Sequence, residues 1–129
     1  MYSLTESLED YLEMIYILKQ NDEDVRITDI ANKLKLSKPS VNKAINSLKS
    51  EGLVMHERYG KIKLTEHGEK IAKEVYVRHE IIKNFFINIL HIDPVIAEQD
   101  ACKVEHVLSH ESMQRLTEYF SKMVMGDNI

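Results

Sequence analysis

One cysteine stands in 129 residues. A single thiol closes no internal disulfide, and such a chain suits a reducing, cytoplasmic setting. No apolar run approaches the ~20 residues that cross a bilayer as a helix, so no membrane partner is expected. The opening Met1-Tyr2-Ser3-Leu4-Thr5-Glu6 lacks the basic and apolar regions of a signal peptide. There is no glycine-rich phosphate loop, internal repeat or low-complexity tract. No spacing assembles a nucleophilic triad or a substrate pocket, so neither an enzyme nor a small-molecule substrate is expected. What remains is a chain with 43% hydrophobic residues, enough for a core in one domain or in a small module with a helical extension.

The stretch Arg26–Leu64 organises the chain. Ile27, Ile30, Ala31 and Leu34 share one helical face. Ser37 is a suitable N-cap for a second helix, and Pro39 falls in its first turn, where a missing N–H costs nothing. That helix runs through Val41, Ala44, Ile45 and Leu48 and stops at Gly52. The period then alternates. Leu53–Arg58 and Lys61–Leu64 flank a Tyr59-Gly60 turn. The sequence predicts a winged helix-turn-helix, with its second helix entering a major groove. From Arg26 to Lys63 there are nine Lys/Arg and three Asp/Glu, a balance of +6 on a chain of net charge −4. A basic segment on an acidic body suits a surface that faces phosphate. Ser37, Pro39 and Ser40 stand at the end of the helix that would face bases, with Asn42 and Lys43 next. Lys38, Lys49, Arg58, Lys61 and Lys63 are expected phosphate contacts.

Helices are predicted on both sides of this module. The first runs from Ser3, which with Glu6 fits a capping box, to about Gln20. Leu4, Leu8, Tyr11, Leu12, Ile15 and Leu18 form its apolar stripe. Glu6, Asp10, Glu13, Met14 and Ile17 cluster elsewhere on it, within about 100°. A carboxylate in such a place needs a partner, either a basic side chain or a metal ion. After the wing, Thr65 starts a long helix to about Leu90, with Ala72, Val75, His79, Ile82, Phe86 and Leu90 on one face. Asp93 and Pro94 open the next, expected to reach about Ser109. Its packing stripe is Ala97, Ala101, Val104 and Leu108. The last helix, about Glu111 to Met125, packs through Met113, Leu116, Phe120 and Met123, against its neighbour or across a dimer seam.

Cys102, Glu105 and His106 stand at i, i+3 and i+4, so three donor side chains project to one place. Thiolate, carboxylate and imidazole, joined by Asp10, make a first shell for a divalent transition metal. The spacing is not that of a zinc finger. The other reading of these residues is a small buried thiol with a solvated acid and histidine.

The order of these motifs resembles the diphtheria-toxin-repressor family of metal-dependent regulators, and its short manganese-transport-regulator branch in particular. The resemblance covers nearly everything from Leu4 to about Phe120. Its motifs are Glu9–Tyr16, Leu36–Val41, Leu64–Gly68, Arg78-His79-Glu80 and Cys102–Ser109. The family's SH3-like third domain is expected to be absent, because the chain ends soon after the sixth helix. The resemblance implies a mainly α fold with a small β wing. Residues 1–70 would be the DNA-binding domain and 71–129 a helical metal-binding and dimerisation domain.

Residue by residue, Asp10 stands at a metal-binding aspartate of the manganese branch and Glu13 at its second carboxylate. His79, Glu105 and His106 stand at family ligands. Cys102 departs from the manganese branch, which has glutamate there, and agrees with the iron branch. Asp10, Cys102, Glu105 and His106 would hold one metal; Glu13 and His79, sharing Cys102 or Glu105, would hold a neighbouring one. Lys83 replaces a carboxylate of the iron branch's ancillary site, while Glu98 remains available as a ligand. Mn2+ is expected ahead of Fe2+, with Co2+, Zn2+ and Cd2+ as substitutes in vitro. The function so implied is a homodimeric, metal-activated repressor on the operator DNA of metal-uptake genes. The competing readings are a winged-helix regulator without metal and a metal-buffering interaction protein.

Overall fold

The computed structural model describes residues 4–21, 24–57 and 60–124. Ser3, Arg58, Tyr59, Met125 and the Met123 side chain lie outside the described residues, and with them the Arg58 contact and half of the wing turn; the cap expected of Ser3 is made by Thr5, two residues later. The elements are α1 (Glu6–Gln20), α2 (Ile27–Leu34), α3 (Lys38–Ser50), β1 (Val54–His56), β2 (Ile62–Leu64), α4 (Glu66–Asn88), α5 (Pro94–Val104) and α6 (His110–Val124). They fall into two compact units, Met1–Val75 and Tyr76–Ile129. The fold is mainly helical with one two-stranded sheet, a winged helix-turn-helix followed by a helical unit.

In the first unit each helix begins where a side chain takes up a free backbone N–H group. Thr5 caps α1 by accepting from the Leu8 N–H at 3.2 Å. The Arg26 N–H donates to Asp29 at 2.9 Å, at the start of α2. Ser37 caps α3 by accepting from the Ser40 N–H at 3.2 Å, and Pro39 sits in the first turn. Between α2 and α3 the backbone turns at Lys35 with φ 57°. At the end of α3, Gly52 takes φ 75°, and the Leu53 N–H returns to the Leu48 carbonyl at 3.0 Å. The strands pair antiparallel with Met55 opposite Lys63, and Val25 adds a bridge to Ile62.

The α4 start is tied to the wing. Thr65 Oγ1 accepts from the Gly68 N–H at 3.0 Å and donates to the Gly52 carbonyl at 2.7 Å. A Cβ on Gly68 would fall 1.9 Å from the Leu53 carbonyl oxygen, so this approach requires glycine. The core of the unit is one cluster that includes Leu12, Ile15, Ile30, Val41, Ile45, Leu48, Leu53, Ile62 and Ala72. The expected stripes of α1, α2 and α3 all contribute to it.

In the second unit α4 continues to Asn88. His91, at φ 57°, turns the chain, and Asp93 caps α5 through the Val95 and Ile96 N–H groups at 3.0 and 3.3 Å. The helix predicted to reach Ser109 ends at Val104. Glu105, His106 and Val107 form a turn, and Ser109 caps α6 through the Ser112 N–H at 3.1 Å. The serine competes for the backbone as a cap, which the apolar period through Leu108 masks. The packing of this unit centres on Ile82, Ala101 and Met113, with Phe86, Val104, Leu108 and Leu116 against them.

Candidate functional site

His79 lies on α4, on the buried side expected for it, and is 6% exposed. Cys102 lies in the last turn of α5. Glu105 caps the end of that helix, and His106 follows in the turn. Helical spacing brings the last three together only partly, because the chain leaves α5 after Val104. The ligand atoms of His79, Cys102 and Glu105 lie within 4.8 Å of one another. Donors at about 2.0–2.3 Å from a common ion in a tetrahedral site stand roughly 3.3–3.8 Å apart, so these three need only close slightly to share one ion. The Cys102 thiol is on the exposed side and His79 and Glu105 are buried.

Glu105 is the unusual member. It is 2% exposed, and neither carboxylate oxygen accepts a hydrogen bond among the described residues. Its Oε2 faces His79 Nδ1 at 3.5 Å and its Oε1 faces His106 Nε2 at 3.4 Å. Both separations are too long for good hydrogen bonds. A buried carboxylate so placed lacks the donors or the cation that would offset its loss of water. Imidazole, thiolate and carboxylate suit a divalent transition metal, and a buried acid without hydrogen bonds fits the same conclusion.

The other nitrogen of His79 is committed. Nε2 lies 2.7 Å from Glu98 Oε2, and Glu98 Oε1 lies 3.1 Å from Lys83 Nζ. His79 and Lys83 are one turn apart on α4, so both reach the same carboxylate on α5. Partial burial opposes the Glu98 charge. The hydrogen bonds from His79 and Lys83 outweigh it, and the Glu98 carboxyl sits below the ordinary range. The hydrogen bond to Glu98 holds the Lys83 ammonium above its ordinary value. Glu98, expected as a possible ligand, is instead bound to His79 and Lys83; the four-residue spacing of those two on α4 puts them on one face but does not show which face of α5 they meet.

Asp10 and Glu13 lie on α1 in the first unit, Asp10 half-buried and Glu13 buried. The residues proposed for DNA lie in the same unit. Ser37, Lys38, Pro39, Ser40, Asn42, Lys43 and Lys49 are all exposed on or just before α3. Ser37 Oγ also donates to Ser40 Oγ at 2.8 Å, so the two hydroxyls are held as a pair. On the wing, Lys61 faces Asp24 at 3.3 Å and Lys63 faces Glu57 at 3.2 Å. These two lysines already have acidic neighbours, which the charge count did not reveal.

The winged module defines the class, a winged-helix transcriptional regulator. Residues 3–62 match the family model described as the iron dependent repressor N-terminal DNA-binding domain. Residues 65–125 match that of the iron dependent repressor metal-binding and dimerisation domain. An uncharacterised HTH-type transcriptional regulator of Methanocaldococcus jannaschii is 37% identical over 120 residues, covering 92% of this chain and 96% of its own. The HTH-type transcriptional regulator MntR of Lysinibacillus sphaericus is 34% identical, covering 97% and 89%. Among solved structures, the manganese regulator SloR aligns with a TM-score of 0.79 at 31% identity, over 88% of this chain and 53% of its own. The chain thus spans about half of that solved relative and most of the curated ones. The chain belongs to the iron dependent repressor family, the diphtheria-toxin-repressor family of the sequence reading, whose members are transcriptional regulators and not enzymes.

Proposed function

We propose that this protein is a metal-activated, homodimeric repressor that binds operator DNA of metal-uptake genes. The observation that carries the reading is Glu105, a buried carboxylate without a hydrogen bond, facing two histidines with the Cys102 thiol in reach. His79, Cys102, Glu105 and His106 would hold the metal. Asp10 and Glu13 are proposed as further ligands on their sequence positions alone. When bound, a divalent cation supplies the positive charge that these acids lack. Mn2+ is favoured over Fe2+, because Asp10 and Glu13 would add hard oxygen donors and the similar solved structures include regulators described as manganese regulators.

The protein residues then do the rest. Glu105 faces His79 on α4 and His106 in the turn after α5, so a cation held there would tie α4 to the end of α5. If only the DNA-competent arrangement completes the ligand set, metal and DNA strengthen each other's binding by the same factor. At the DNA, the Ser37 and Ser40 hydroxyls and Pro39 face base edges, and Lys38, Lys43 and Lys49 engage phosphate.

The test is fluorescence anisotropy with operator-like duplex, kept anaerobic and reduced, with Mn2+, Fe2+, Co2+ and Zn2+ added separately. Tight binding that requires metal is expected, with Mn2+ most effective. Equal binding in chelator would remove the metal switch and leave a winged-helix regulator without it. Asp10→Met is expected to shift the ranking toward Fe2+.

A further inference from the structure

We propose that Glu98 and Lys83 act on the metal site from outside it. Glu98 holds His79 so that Nδ1 is the ligand atom, and the Lys83 ammonium takes the place of a second cation, leaving one metal ion per subunit. This rests on the proposed metal reading of His79, Cys102 and Glu105, and it adds a count and two roles.

The geometry points outward from His79. Its Nε2 is 2.7 Å from Glu98 Oε2 and its Nδ1 faces Glu105 at 3.5 Å. A neutral imidazole carries one proton and one lone pair. The short contact with a carboxylate places the proton on Nε2, which leaves the Nδ1 lone pair on the side of Glu105 and Cys102. A carboxylate behind a metal-bound histidine fixes the ring and raises its basicity.

Glu98 is itself held. Its second oxygen lies 3.1 Å from Lys83 Nζ. Its side chain is 48% exposed, beside an imidazole that is 7% exposed. A half-open acid next to a buried histidine is the kind of pair that grips a second ion. Here one oxygen is engaged by Nε2 and the other by a covalently tethered cation. A second divalent ion would have to displace that ammonium and the Nε2 proton together. The positive charge next to Glu98 is supplied by the chain, and its presence does not depend on metal concentration.

The experiment counts and spectroscopically follows Co2+. The reduced full-length chain is dialysed to equilibrium against Co2+ and analysed for bound metal, with parallel absorption titrations against a competing chelator. Wild type is expected to take one Co2+ per subunit with a near-ultraviolet thiolate-to-cobalt band. Lys83→Glu, and more weakly Lys83→Gln, should admit a second ion without losing that band. Glu98→Leu should still bind one ion, with affinity lower by roughly tenfold to a hundredfold. Glu98→Gln, whose amide oxygen still accepts from Nε2–H, should recover most of the loss. Far-UV circular dichroism in chelator checks that each variant is folded. Two ions in wild type, or one ion in both Lys83 variants, would overturn the role of Lys83. Unchanged affinity in Glu98→Leu, or no recovery in Glu98→Gln, would overturn the role of Glu98. A wild-type chain that binds no Co2+ would overturn the metal reading as well, and that result is distinct from the others.

Discussion

A single carboxylate decides much of how this chain behaves without metal. The Glu105 carboxylate is buried and accepts no hydrogen bond among the described residues, so the metal-free protein carries a group that would be better solvated in the unfolded chain. Replacing a poorly satisfied buried charge with an apolar residue of similar volume is often neutral or stabilising. Glu105→Leu is therefore expected to melt at the same or a higher temperature in chelator, and to lose the upward shift that metal gives wild type. Thermal unfolding of both proteins with and without Mn2+ checks the two signs together. Gly68 makes a residue-scale demand of the opposite kind. A methyl group there meets the Leu53 backbone carbonyl. Gly68→Ala is expected to cost about 1–3 kcal/mol or more, read as a fall of several degrees in the melting temperature.

Most helices in this protein start at a capping side chain, and those caps can be removed one by one. Ser37→Ala deletes the acceptor for the Ser40 N–H and is expected to cost about 1 kcal/mol. It also frees the Ser40 hydroxyl that Ser37 now holds, so operator affinity should fall beyond what stability predicts. Urea titration and anisotropy on the same samples separate the two effects. Between α4 and α5, Glu98 links to His79 and Lys83, and its carboxyl is held below the ordinary value near 4.5. A depressed acid contributes stability above its unfolded pKa and loses it as pH falls through the folded value. The metal-free stability advantage of wild type over Glu98→Gln should therefore be present at neutral pH and be lost as pH falls below the ordinary carboxylate range. Because Glu98 is half exposed, that advantage should stay under about 1 kcal/mol.

For the whole molecule, charge separates the two halves of the function. If Lys38, Lys43 and Lys49 contact phosphate, neutralising each should weaken binding to all duplexes alike. Each loss should lower the slope of log affinity against log salt by roughly 0.9. Lys61 and Lys63 should change it less, because Asp24 and Glu57 already neutralise them. The winged module was legible at this scale because several local signals agreed: the Ser37 cap, the Pro39 turn, the Gly52 stop and the change of period. The donor group was legible as spacing and as a family pattern. The end of α5 was not, because apolar period alone cannot register Ser109 starting a new helix. The Glu98 link to His79 and Lys83 was not legible either, since it depends on which faces of α4 and α5 meet. Glu105 and His106 consequently sit on a three-residue turn and not on a rigid helix. Backbone in such a turn opens locally at a cost far below that of global unfolding. A bound ion would have to leave, or lose two ligands, before this segment could open. Amide exchange across Glu105–Leu108 should then slow in proportion to metal occupancy, and a protease that cuts after His106 would report the free metal concentration as the lifetime of an intact chain.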